Sequence, residues 1–427
     1  MRNSTLSHVV PMLFLLAGCG TWQGTPTAVA LRQGVWRMSL DIRSAHDPQA
    51  LILPFLFDLN RDSAGWRMTV HNREESIAVT DITIVHDSIN IRLPLFDSEF
   101  VGVVNNDSTF SGSWHNYLRG PDYRIPFVAN ADPHARFVNT SDDHLDMNGD
   151  WEAHFDPGTP DDAYDALGIF NGTGGHVSGT FATETGDYRY LEGVTQGDSV
   201  FLSSFDGSHA FLFKAAMKSD TLRGQFWSGT HSQEPFVAWR HAGYHLRDQD
   251  SLTFLKEGCD MVNFTFEGLN GDSVSPMDPR HSGKVMMVQV MGSWCPNCMD
   301  ETRLLQEMYG RYHREGLDVI AVAFERYTAK DKALQALRRY RDALGVKYDI
   351  AYAGEASKEV VCTKLPFLNK MMSYPTCIFI DRSGKVRRIR TGFYGPGTGE
   401  HYQNYRRNLQ IFLEKMLAEQ PAARKAA

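Results

Sequence analysis

Apolar side chains between residues 77 and 93 fall largely at every second position: Ile77 and Val79, Ile82 and Ile84, then Ile89, Ile91 and Leu93. That period is the mark of strands with one buried face. Turn-forming clusters punctuate it, among them Asn105–Asn106–Asp107, Arg119–Gly120–Pro121, Thr185–Gly186–Asp187 and Phe205–Asp206–Gly207. The whole pattern occurs twice. Gly34–Val35–Trp36 returns as Gly149–Asp150–Trp151, and Asp87–Ser88–Ile89 as Asp198–Ser199–Val200. Phe96–Asp97 answers to Phe205–Asp206, Gly112–Ser113–Trp114 to Gly224–Gln225–Phe226, and Pro126–Phe127–Val128–Ala129 to Pro235–Phe236–Val237–Ala238. A stable offset of this kind means duplication. Each copy, residues 34–130 and 149–242, is expected to form roughly eight short antiparallel strands in a barrel or curled sandwich. Trp36, Trp114, Trp151 and Trp227 either fill the cores or line a ligand cavity.

Past residue 250 the pattern changes. Lys284–Gly292 reads as a buried strand interrupted by Gln289, and it runs into Ser293–Trp294–Cys295–Pro296–Asn297–Cys298 and an amphipathic helix to Tyr309. Strands at 317–324 and 348–352, a helix from Lys330 to Leu344 ended by Gly345, a hairpin of 374–381 with 386–390, and a helix over 400–417 follow. This alternation predicts an α/β domain over residues 252–420. The chain is therefore expected to be multidomain, two β-rich repeats followed by an α/β domain.

Composition sharpens that division. Of 427 residues, 42% are hydrophobic and 22% charged, which excludes a disordered, collagen-like or polytopic membrane chain. The net charge of −8 argues against nucleic acid as the main partner. Residues 1–250 carry 17 Lys and Arg against 31 Asp and Glu, whereas residues 251–427 carry 26 against 20. Cysteines follow the same boundary: Cys19 stands alone, and Cys259, Cys295, Cys298, Cys362 and Cys377 all lie beyond it. The repeats are not a disulfide-stapled scaffold. Scattered histidines (His115, His144, His154, His176, His209) do not have metal-site spacing. At the start of the chain, Arg2 and His8 precede the apolar run Val9–Leu16 and then Ala17–Gly18–Cys19–Gly20. A cationic start and a run too short to span a bilayer predict a secretory signal peptide over residues 1–18. Leu16–Ala17–Gly18–Cys19 resembles the lipobox of bacterial lipoproteins, which implies lipidation of Cys19. Gly20 resembles the signal for export to the outer membrane.

Two cysteines three apart, opening a helix after a strand, suit thiol–disulfide chemistry. Unpaired N–H groups and the helix dipole stabilise a thiolate at the first position, and the second can close a disulfide onto it. Pro296 fits the first helical turn, where its missing N–H costs nothing. A zinc site would need a second pair at suitable spacing, which Cys259, Cys362 and Cys377 do not supply. A thiol peroxidase would place Pro and Thr ahead of a lone cysteine, and that pattern is missing.

Gly292–Ser293–Trp294–Cys295–Pro296–Asn297–Cys298, Tyr374–Pro375–Thr376 and Thr391–Gly392–Phe393–Tyr394–Gly395–Pro396–Gly397–Thr398–Gly399 together resemble the TlpA/ResA-like thiol–disulfide oxidoreductases of the thioredoxin fold. The resemblance covers residues 252–420. It implies that Cys295 attacks, that Cys298 resolves, and that Pro375 is a cis-proline facing their disulfide. Where thioredoxin keeps a buried Asp, this chain has Gln289. TlpA/ResA-like proteins often place a Glu three residues after the second cysteine, and Glu301 stands there. The proton relay is thus expected at Glu301, with Glu325 in reserve and a solvated helix face as the plain alternative for Glu301. Cys377 is expected to be a buried free thiol, although a Cys362–Cys377 disulfide remains open.

These readings predict an enzyme, a membrane-anchored extracytoplasmic thiol–disulfide oxidoreductase that reduces disulfides of envelope proteins. It is expected to be an outer-membrane lipoprotein facing the periplasm, held by Cys19 and fed by a thiol electron donor. Neither a metal nor an organic cofactor is implied. The repeats are expected to be a spacer or recognition module that holds the α/β domain off the lipid surface; the alternative is a ligand- or protein-binding lipoprotein whose C-terminal domain senses redox state without turnover.

Overall fold

The computed structural model describes residues 30–44, 49–133 and 135–420. The expected signal peptide and Cys19 lie outside them.

Each repeat contains nine strands, from Gly34–Asp41 to Arg124–Ala131 and from Gly149–Phe155 to Ser232–Arg240. The extra strand in the first copy has a simple origin. Glu75–Val79 and Asp81–Val85 keep the same period and end the strand order at opposite edges, but Thr80 alone joins them, so this sheet curls round until its two edges meet. First and last strands pair antiparallel in both copies, Met38 opposite Ala129 and Ala153 opposite Ala238. The second copy closes into a barrel, because Tyr164–Thr173 pairs with both Gly149–Phe155 and His176–Thr183. Gly186–Asp187 projects from the end of this last strand as a short extension.

The tryptophans are core. Trp36, Trp114 and Trp151 are buried, and Trp227 packs half-buried against the first repeat's core. Both signature indoles donate to the carbonyl four residues earlier, Trp36 to Arg32 at 3.1 Å and Trp151 to Met147 at 3.0 Å. Such fully buried aromatics are each worth about 3–5 kcal/mol.

The C-terminal domain builds a seven-stranded sheet in the order Ser273–Val274, Phe266–Gly268, Asp349–Glu355, Leu317–Glu325, Val285–Met291, Thr376–Ile380, Val386–Thr391. Its three central neighbours run parallel, and Thr376–Ile380 returns antiparallel. Every residue of Val285–Met291 and Leu317–Glu325 is buried, as expected for strands covered on both faces. Helices α1 (Pro296–Tyr312), α2 (Lys330–Leu344), α3 (Lys358–Lys364) and α4 (Glu400–Ala418) surround the sheet. The two turns of α3, capped by Ser357, are too short for periodicity to reveal.

The modules share their cores. Phe205 of the second repeat stacks on Phe55 of the first at 4.4 Å and 4°. Phe96 of the first repeat lies in the same apolar cluster as Met299 of α1. The repeats are therefore packed against each other and onto the α/β domain.

Candidate active site

Cys295 is the N-cap of α1. Its extended backbone (φ −104°, ψ 111°) ends the loop from the central strand, and its Sγ accepts the Cys298 N–H at 3.2 Å. A thiol at this position faces the open N–H groups of the first helical turn. Gly292 makes the approach possible, since a Cβ there would lie 2.2 Å from the Trp294 Nε1 and 2.7 Å from the Phe324 carbonyl. Trp294 in turn donates from Nε1 to that carbonyl at 3.0 Å. Cys295 is 6% exposed, whereas Cys298 beneath it is fully buried. Burial, the hydrogen bond that its S–H donates to Cys295 and the charge of Cys295 push the Cys298 thiol well above its ordinary pKa. Of the two sulfurs, Cys295 is the one nearer the surface.

Glu301 lies one turn on, at 1% exposure, facing the sheet rather than solvent. Gln289 Nε2 donates to its Oε2 at 2.9 Å and to the Cys298 carbonyl at 3.2 Å. Thr302 fixes the orientation of this amide by donating to Gln289 Oε1 at 3.0 Å, and Tyr340 donates to Thr302. The other carboxylate oxygen, Oε1, is buried with no hydrogen-bond partner. Burial raises the Glu301 pKa to about 7, against the pull of Gln289 and Arg390. Its charge also raises the Cys298 pKa. Glu325 is equally buried and also moved by burial to about 7. Its oxygens accept the Ser293 N–H and Oγ–H, both at 2.8 Å, so it anchors the loop ahead of Cys295.

Opposite the cysteines the Tyr374–Pro375 peptide is cis. The Tyr374 carbonyl accepts from Cys295 Sγ at 3.5 Å, and Gly392 N–H donates to the Pro375 carbonyl at 2.8 Å. All five described cysteines are free; Cys362 is exposed and Cys377 buried, so no Cys362–Cys377 bridge is present.

Several groups at this site were not named from the sequence. Arg326, directly after Glu325, places its guanidinium 3.8 Å from the centre of the Trp294 ring. The second repeat covers the other flank. Asn297 Nδ2 donates to the Asp187 carbonyl at 3.3 Å, Ser373 Oγ donates to the Thr185 carbonyl at 2.8 Å, and Asp187 accepts the Gly395 N–H. Gly392, at φ +75°, is needed here, because a Cβ would lie 2.6 Å from the Thr185 backbone. Arg189 locks the junction. It donates to the Pro296 carbonyl at 3.2 Å, pairs with Asp300 of α1 and Glu75 of the first repeat, and lies 3.3 Å from Asp206. With more buried carboxylates than cations, burial pushes Glu75 upward, while His209 and Arg189 hold Asp206 at about 2 against burial.

Residues 258–389 match the family model described as the AhpC/TSA family. The thiol–disulfide oxidoreductase ResA of Halalkalibacterium halodurans is 27% identical over 139 residues, covering 32% of this chain and 69% of that protein. ResA of Bacillus subtilis is 23% identical over 150 residues, covering 35% and 75%. Among solved structures, a thioredoxin-family thiol:disulfide interchange protein from Chlorobium tepidum aligns at 17% identity over 38% of this chain and 99% of its own, with a TM-score of 0.30. The C-terminal domain thus has the thioredoxin fold and is similar in sequence to the ResA thiol–disulfide oxidoreductases.

Proposed function

We propose that the protein is an extracytoplasmic disulfide reductase, anchored through a lipidated Cys19, whose Cys295 thiolate attacks disulfides of envelope proteins. Attack breaks the partner's S–S bond, forms a Cys295–partner disulfide and releases one partner thiolate. Cys298 then loses its proton to the Glu301 carboxylate and attacks Cys295 Sγ. The second partner thiol leaves, the partner has gained two electrons, and the oxidised Cys295–Cys298 disulfide left behind must be reduced again by a thiol donor. Pro375 forms the wall against which the disulfides exchange. The observation that carries this reading is the asymmetry of the pair: Cys295 at the helix N-cap beneath the Tyr374 carbonyl, Cys298 fully buried behind it.

Direction follows from what surrounds Cys295. Pro296 and Asn297 bring no cation between the cysteines. A potential nearer about −270 mV than the roughly −120 mV of a strong oxidant is expected, with Arg326 moving it somewhat toward oxidation. Trapping tests the reading in the full chain: Cys298→Ser accumulates mixed disulfides with partner proteins, and Cys295→Ser accumulates none. If Cys295→Ser retained exchange, the assignment would reverse. The binding-only alternative predicts no reduction of any disulfide by the wild-type chain with dithiothreitol as donor.

A further inference from the structure

The redox loop is flanked by opposite charges. On the Asn297 side a polar cavity of about 790 Å³ opens between the second barrel and the loop, lined by Asp165, Glu184, Asp187 and Glu234. Arg247 is its cation, and it is paired with Glu184. On this side the Thr183–Asp187 turn already occupies the ground beside Asn297, Ser373 and Gly392. The Trp294 side differs. Arg326 is exposed and lies over the Trp294 ring. The Trp294 carbonyl accepts Ser208 Oγ–H at 3.2 Å, and the Ser208 carbonyl accepts Asn116 Nδ2–H at 2.9 Å. Asn116 caps the short turn Tyr117–Arg119, which brings half-buried Arg119 from the first repeat to the same edge.

Burial lowers the Arg119 pKa, and the charge of Arg326 lowers it further. Arg326 also interacts with the Cys295 charge. Among the described residues neither arginine makes an ion pair. The carboxylates facing them are engaged elsewhere: Glu325 by Ser293, Asp206 by Arg189 and His209, Asp97 by Tyr327 and Arg92. His231, bonded to Tyr123, is held at about 4 by burial and by Arg119, His209 and Arg326, so it is neutral near pH 7. Two uncompensated cations beside a redox thiol, in a chain whose N-terminal half is acidic, mark this edge as a local exception.

We propose that Arg119 and Arg326 form the entrance to Cys295 and recruit a disulfide-bearing polypeptide segment with acidic side chains beside its cysteine. This rests on the reductase reading above. A partner approaching along Trp294 meets these cations, while the acidic cavity and the Thr183–Asp187 turn exclude it from the other flank. Rim charges of this kind act on encounter rates, and an effect of about tenfold is expected.

The test uses the full chain, dithiothreitol as donor, and three probes. Two are cyclic disulfide peptides of equal length, one flanked by Asp and Glu, the other by Lys; the third is neutral 2-hydroxyethyl disulfide. The acidic peptide should show about tenfold higher kcat/KM than the basic one. The ratio should fall toward one between about 0.01 M and about 1 M salt, as the Debye length shrinks from about 30 Å to about 3 Å. Arg119→Glu should reverse the preference. Equal rates in the wild type, or a ratio insensitive to both salt and Arg119→Glu, would overturn the inference while turnover of the neutral probe left the reductase reading standing. If Arg119→Glu fails to fold, the wild-type salt series decides alone. No turnover of any probe would overturn the reductase reading and this inference with it.

Discussion

Replacing Glu301 by Gln removes one ionisation and almost nothing else. The side chain keeps its size, and an amide oxygen can still accept from Gln289 Nε2. Two consequences can be sized. The Glu301 carboxyl moves from 4.5 to about 7 on burial. At about 1.4 kcal/mol per unit, its charged form costs roughly 3 kcal/mol in the folded state. Because the folded pKa is raised, the stability involved is fully present below the unfolded value and is lost as pH rises through about 7. Urea unfolding should therefore show Glu301→Gln gaining on the wild type by up to about 3 kcal/mol between pH 5 and pH 8. Catalysis should move the opposite way. Cys298 ionises only well above its ordinary pKa, so near neutrality its proton needs an acceptor. A positioned base contributes roughly 10²–10⁴-fold. Loading Cys295 with a chromogenic aryl thiol and timing its release by Cys298 isolates that step. The wild-type rate should rise through about pH 7, as the Glu301 carboxylate forms. In Glu301→Gln that inflection should vanish and the rate at pH 7.5 should fall about 10²-fold. An unchanged pH–rate profile would refute the relay and leave Glu301 a buried acid with a structural role only.

Other outcomes follow from the same physics. Arg189→Met strands Glu75, Asp206 and Asp300 without their shared cation and should cost about 3–5 kcal/mol in urea unfolding. The loss should be smaller at acid pH, where Glu75, pushed up by burial, takes a proton; an equal loss at pH 5 and pH 8 would show that its charge is not involved. Glu325→Gln weakens the two bonds that hold Ser293 and should slow the attack by Cys295 more than the resolution by Cys298, read from the two phases of aryl thiolate release. Cys19→Ser should move the protein from the membrane fraction to the soluble one, and persistence in membranes would remove lipidation as the anchor.

The α/β domain was legible because its signals are local. Val285–Met291 is continuously apolar around Gln289, the cysteines sit at a helix start, and Gly345 ends α2 with φ +66°. The duplication was legible because Trp36 and Trp151 repeat with their surroundings. The closure of the modules on the redox site was not legible. Arg189 meets Glu75 and Asp300 across more than one hundred residues in either direction, and no periodicity encodes a single buried cation. Glu301 could be named only through the resemblance to TlpA/ResA-like proteins, which often carry a Glu three residues after the second cysteine, and its burial against Gln289 of the strand is a tertiary contact. Arg326 had a usable signal, since it follows Glu325 at the carboxyl end of a central parallel strand, where open α/β sheets gather their sites. Its place over Trp294 depends on a tertiary contact.

The central claim is that Cys295 and Cys298 form one two-electron couple poised for reduction. Equilibrating the full chain with dithiothreitol or glutathione buffers, quenching with an alkylating agent and weighing the labelled peptides tests it most directly. The account predicts that Cys295 and Cys298 gain and lose their labels together, with a midpoint nearer about −270 mV than about −120 mV. Independent titration of the two cysteines, or a joint midpoint above about −180 mV, would contradict it.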